Sequence, residues 1–107
     1  MLSLNAMDTK TDDRFELLTR WLSRFDRIGG ERPVPASEDA SFRRYFRVAN
    51  AQSYIIMDAP PPQEDCRPFV DIAGHLEKMG LNSPRVLESD LEQGFLLLED
   101  LGDAQYL

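Results

Sequence analysis

Cysteine is nearly absent from this chain: Cys66 stands alone among 107 residues. No internal disulfide can form, which fits a reducing compartment and gives a cytoplasmic location as the expectation. Histidine is as scarce, and His75 has no cysteine or second histidine beside it to build a metal site. Lysine is limited to Lys10 and Lys78, against ten arginines. Long apolar runs are missing too. The longest, Gly94 to Leu98, falls far short of the ~20 residues that a spanning helix needs, so no membrane partner is expected. Met1 to Asp13 has no basic stretch leading into an apolar core, so no signal peptide is expected there. Positive charge is short overall: 12 basic side chains face 19 acidic ones, for a formal charge of −7. Binding to a phosphate backbone needs clustered cations, so nucleic acid is not an expected partner.

What remains has the composition of one soluble domain, 42% hydrophobic and 29% charged. Residues 1–11 are polar and unpatterned, an expected frayed end before a single unit over 12–107. From Asp12, the residues Phe15, Leu18, Trp21, Leu22 and Phe25 recur at helical spacing, and Gly29-Gly30 follows. This predicts a helix over Asp12–Arg27. Pro33 and Pro35 restrict Glu31–Ala36 to an edge strand or extended entry. Phe42–Ala49 alternates, with Phe42, Arg44, Phe46 and Val48 on one face and Arg43, Tyr45 and Arg47 on the other. Asn50-Ala51-Gln52 reads as a hairpin turn into a strand over Ser53–Asp58, apolar enough to be buried on both faces.

Three prolines, Pro60 to Pro62, predict a rigid extended connector. A second helix follows from Gln63, with Phe69, Val70, Ile72, Ala73, Leu76 and Met79 as its core stripe and Gly80 at its end. Strands are expected at Arg85–Glu88 and Phe95–Glu99, joined by a turn over Ser89–Gly94. The element order predicts an α+β fold: an antiparallel sheet of four to five strands, one N-terminal helix and one helix between strands.

Four fragments carry a resemblance: Asp39–Val48, Tyr54–Pro61, Glu64–Val70 and Gln93–Gly102. Together they are similar to the aminoglycoside phosphotransferase family, whose fold is protein-kinase-like. They resemble in particular its cell-wall-recycling branch, which uses ATP to phosphorylate the anomeric hydroxyl of N-acetylmuramate and N-acetylglucosamine. The resemblance implies the N-terminal, nucleotide-binding lobe of such an enzyme, with ATP and magnesium as the family's requirements. It implies that the loop Ser37–Ser41 covers the phosphates, with Ser37, Ala40 and Ser41 small enough for close approach. Residue by residue, a polar β-turn explains the same loop. The resemblance places adenine against the segment after the last strand, with Leu98 at the back and the Glu99 carbonyl and Leu101 N–H at its edge.

Protein kinases hold the phosphates with a strand-three lysine. The matching positions here are Met57 and Asp58. Arg44 is the preferred replacement, because a guanidinium holds phosphate bidentately. A solvated strand face accounts equally well for Arg43, Arg44 and Arg47. Without the lysine, Asp71 and Glu77 read as plain surface charges. Cys66, at a helix start, reads as a buried or spectator thiol. The family's catalytic aspartate and metal ligands match nothing in these residues. Two readings therefore stand: a truncated lobe, inactive alone, or an interaction module that kept the lobe's fold. The cluster Leu96, Leu97, Leu98, Leu101, Tyr106 and Leu107 predicts an exposed hinge face and a homodimer formed through it.

Overall fold

A computed structural model describes residues 13–38, 43–81 and 84–100. The first helix, α1, runs over Asp13–Leu22, with Asp13 and Glu16 in its first turn and Arg20 in its last, each sign suited to the helix dipole. It ends five residues before the expected Arg27. The Ser23 N–H is shared between the carbonyls of Thr19 and Arg20, and the Ser23 hydroxyl also bonds to Arg20. This tightens the last turn, and Phe25 is then extended. One 3-10 turn, Asp26–Ile28, follows and closes on left-handed Gly29.

Five strands form one antiparallel sheet: β1 Val34–Glu38, β2 Arg44–Ala49, β3 Ser53–Asp58, β4 Val86–Asp90 and β5 Phe95–Glu99. Their spatial order is β1-β2-β3-β5-β4. The proline-bearing β1 is an edge strand, with a bulge between Pro35 and Ser37. The Asn50–Gln52 turn sets the β2–β3 register, which pairs Arg44 with Asp58 and Ala49 with Ser53. The second helix, α2 Arg67–Lys78, carries the chain from β3 across the sheet to the outer strand β4. It begins at Arg67 rather than Gln63, with Pro68 in its first turn, where the missing N–H costs nothing. The proline connector turns instead of extending: the Glu64 N–H donates to the Pro60 carbonyl, and the Pro61–Pro62 bond is cis. β4 runs two residues further than expected, to Asp90, which shortens the turn before β5.

Helices cover the sheet on opposite faces. On one, Leu18, Trp21 and Leu22 of α1 pack with Ile28, Phe46, Val48, Tyr54, Ile56, Phe95 and Leu97. On the other, Tyr45, Ile55, Met57, Ala59, Leu96 and Leu98 pack with Cys66 and with Phe69, Val70 and Val86. β3 is buried on both faces, as its composition implies. The stripe expected of α2 is narrower than predicted: Ala73 is buried, but Ile72 and Met79 are 58% and 68% exposed. The exposed hinge face is also corrected, because alternation sends Leu96 and Leu98 under α2 and Leu97 under α1, leaving all three 0% exposed. Leu101, Tyr106 and Leu107 lie outside the described residues. Gly94 has a positive φ, and a Cβ there would collide with the Ala59 carbonyl. Close approach is needed because the Ala59 N–H donates to the Gly94 carbonyl.

Candidate functional site

On the α1 face the dominant charge is Asp58, whose carboxylate is 1% exposed. The register sets Arg44 directly across from it. The Arg44 Nε and Nη2 donate to Asp58 Oδ2 at 3.2 and 2.9 Å. From α1, the Arg14 Nε and Nη2 donate to Oδ1 at 2.9 and 2.6 Å, and Nη2 also donates to the Gln93 carbonyl. Each guanidinium lies over an aromatic ring, Arg14 over Phe95 and Arg44 over Phe46. A groove of about 410 Å³ opens beside them, lined by Phe15, Arg32, Val34, Arg44 and Phe46 among others. The triad fastens α1, β2, β3 and the β4–β5 turn to one another.

The α2 face is built differently. Arg47, Ile55, Leu98 and Val86 are successive cross-strand partners over four strands. The Arg47 Nε donates to Asp100 Oδ2 at 2.8 Å, and the Ser53 hydroxyl donates to the same oxygen at 2.6 Å. β2 is thereby tied to the first residue after β5. At the other end of β2, the Arg43 Nε donates to Glu64 Oε1 at 2.8 Å, just ahead of α2. Arg43 also shares a side-chain hydrogen bond with Tyr45. Burial works against its charge, yet the bonds to Glu64 and Tyr45 prevail and hold its pKa above the usual guanidinium value. Between these cations the face is apolar, and Met57 is 0% exposed.

The residues expected to form the nucleotide site are thus divided. Leu98 lies on the α2 face, fully buried among Ile55, Val86 and their neighbours. Glu99 ends β5; its N–H donates to the Arg85 carbonyl and its carboxylate accepts the Arg85 N–H. Arg44 lies on the opposite face, engaged with Asp58, so the sheet separates it from Leu98. Ser37 sits in β1 across from Tyr45. Ala40, Ser41 and Leu101 lie outside the described residues. Asp71, His75 and Glu77 are exposed on α2, and Glu77 meets Arg85 at 3.4 Å. Burial pushes the Cys66 thiol up from its usual pKa, against the lowering that a helix start can cause. Among the described residues, no group of three or more histidine, cysteine, aspartate or glutamate side chains could hold a metal ion. No described helix is long and apolar enough to cross a membrane.

A five-stranded antiparallel sheet with one helix before it and one crossing it is an α+β fold consistent with the N-terminal lobe of a kinase-like phosphotransferase. The profile of the phosphotransferase enzyme family matches residues 33–107, and the chain belongs to that family. Among curated proteins it is similar to the N-acetylmuramate/N-acetylglucosamine kinase of Pseudomonas aeruginosa, 54% identical over an alignment covering 90% of this chain and 32% of that protein. The Pseudomonas putida protein of the same name is 50% identical over the same shares. That of Caulobacter vibrioides is 38% identical over 74% of this chain and 30% of its own length. The chain therefore spans about a third of the length of these relatives. No solved structure matches it.

Proposed function

We infer that this chain is the nucleotide-binding lobe of an ATP-dependent amino-sugar phosphotransferase, acting on a sugar of the N-acetylmuramate or N-acetylglucosamine kind. The observation that supports this most is the α2 face of β2. It sets Arg47 beside the segment leaving β5 and Arg43, immediately ahead of β2, against Glu64. An elongated anion laid along that strand meets backbone at one end and a cation at the other.

In this reading the adenine edge meets main-chain groups beyond Glu99, next to the end of β5 whose Leu98 is buried with Ile55 in the core beneath. The Arg47–Asp100–Ser53 contacts hold that segment against the sheet. Phosphoryl transfer depends chiefly on positioning and on neutralising phosphate charge. This lobe contributes the nucleotide's position and part of that charge. Magnesium in such a site is held mostly by phosphate oxygens and water with one or two carboxylates, and the described residues of this lobe hold no cluster of three or more candidate ligands. Cys66, the chain's single cysteine, is free and buried, which accords with a cytoplasmic setting.

Nuclear magnetic resonance of this chain during titration with millimolar ATP tests the reading. Saturable shifts centred on Tyr45, Arg47, Ile55 and Glu99 are expected. Shifts confined to the α1-face groove at Phe15, Arg32 and Phe46, or no shifts at all, refute it.

A further inference from the structure

We propose that Asp100, held by Arg47 and Ser53, is a positioning residue for base recognition: its carboxylate fixes the main chain that reads the adenine edge, and so sets the preference for adenine over other purines. The proposal rests on the nucleotide-binding reading above and names what makes that reading base-specific. The last backbone pair between β3 and β5 joins Tyr54 to Glu99. One step further the same register sets Ser53 opposite Asp100, where β5 has already ended. A side-chain bond takes over from the ladder there, as the Ser53 hydroxyl donates to Asp100 Oδ2 at 2.6 Å. Arg47 lies on β2, which does not adjoin β5. Its guanidinium nevertheless reaches across β3 and donates to that same oxygen at 2.8 Å.

The other side of β5 is fastened as well, by the paired contacts of Glu99 with Arg85, the residue ahead of β4. The chain leaving β5 is thus gripped from both neighbouring strands. The Asp100 side chain is only 9% exposed although the residue follows the strand. Bonds between ionised partners are the strong ones, so the Arg47–Asp100 pair holds this exit hardest. Such a grip matters because hydrogen bonds weaken steeply as their angle closes. Adenine offers an amino donor beside a ring-nitrogen acceptor. Hypoxanthine offers a carbonyl acceptor beside an N–H donor, the reverse pattern. A main chain held in one direction tells the two apart, since the wrong base leaves its groups unpaired. A loose main chain turns to suit either.

The test measures ATP, ITP and adenosine binding by calorimetry for the unsubstituted chain, Asp100→Ala, Asp100→Asn and Ser53→Ala, with the Tm of each recorded. The unsubstituted chain should favour ATP over ITP. Asp100→Ala should weaken ATP and adenosine by the same factor, about tenfold, and ITP by less, so that the preference narrows. Asp100→Asn keeps an acceptor and gives up the charge, and should fall between. Ser53→Ala removes one hydroxyl at an exposed strand end and leaves the Arg47 bond in place, so it should stay folded and show the same narrowing in smaller measure. A merely structural role would lower Tm and leave the ratio of ATP to ITP affinity unchanged in Asp100→Ala and Ser53→Ala; that result overturns the proposal. An unsubstituted chain that binds ATP and ITP alike overturns it too, while the nucleotide reading stands. One that binds neither overturns the nucleotide reading and this role with it.

Discussion

Replacing Asp58 by asparagine would keep the shape of the side chain and remove the one negative charge held between Arg14 and Arg44. The carboxylate is 1% exposed and accepts four hydrogen bonds from the two guanidinium groups. Breaking a fully buried ion pair from one side costs about 3–5 kcal/mol. Arg14 and Arg44 keep 27% and 25% of their side chains in water, which softens the penalty left on each cation. The expected loss is therefore at the lower end, about 3 kcal/mol, out of the ~5–15 kcal/mol of a whole domain. Urea unfolding followed by the fluorescence of buried Trp21 should show the midpoint falling by about 1–3 M with an unchanged slope. The triple replacement Arg14→Met, Asp58→Leu, Arg44→Met should regain most of that loss, since apolar side chains of similar volume avoid the cost of desolvating charge. A loss below about 1 kcal/mol for Asp58→Asn would refute the reasoning, because water would then be reaching the carboxylate.

Trp21 is 4% exposed and lies against Phe25 and Phe95, so Trp21→Ala should cost about 3–5 kcal/mol in urea unfolding followed by circular dichroism; an unchanged midpoint would mean that α1 is not docked. Asp90 is held below the usual carboxyl pKa by hydrogen bonds from the Gln93 side chain and then its backbone N–H. Its ionised form thus stabilises the fold at pH above about 4, and the contribution fades as pH falls through the lower folded value. Asp90→Asn should lower Tm at neutral pH, and the gap from the unsubstituted chain should narrow toward pH 3; a gap that widens on acidification would refute this.

Strand positions were legible where period and punctuation agreed. β3 and β5 begin and end where the residues between Gln52 and Ala59 and between Gly94 and Asp100 say they should. The Asp58–Arg44 pairing was not read from the sequence, where Arg44 stands as a phosphate-holding cation, although a turn centred on Ala51 puts positions 44 and 58 across from each other. Arg14 gave no such signal, since it arrives from a helix whose docking angle is a tertiary matter. Alternation separated Arg43 from Arg44 correctly, but it says nothing about which helix covers which face. Arg44 therefore reads from the sequence as the phosphate-holding cation because it shares a face with Phe46 and Val48, and the structure adds that α1 covers that face. Ile72 and Met79 obey helical spacing and still face water, because α2 meets the sheet mainly through Phe69, Val70 and Ala73.

The family profile begins at residue 33, but the folding unit does not. Leu18, Trp21, Leu22 and Ile28, all upstream of that point, complete one of the two cores, and Arg14 supplies one of the two guanidinium groups on Asp58. An expression plasmid started at residue 33 would yield a sheet with Phe46, Val48, Ile56, Phe95 and Leu97 open to solvent on one side. Such a product would be a candidate for inclusion bodies rather than for crystallisation. Substitutions in α1 act through the sheet beneath it, which Leu18, Trp21 and Leu22 cover. Substitutions that loosen this helix would surface in a genetic screen as loss of protein abundance.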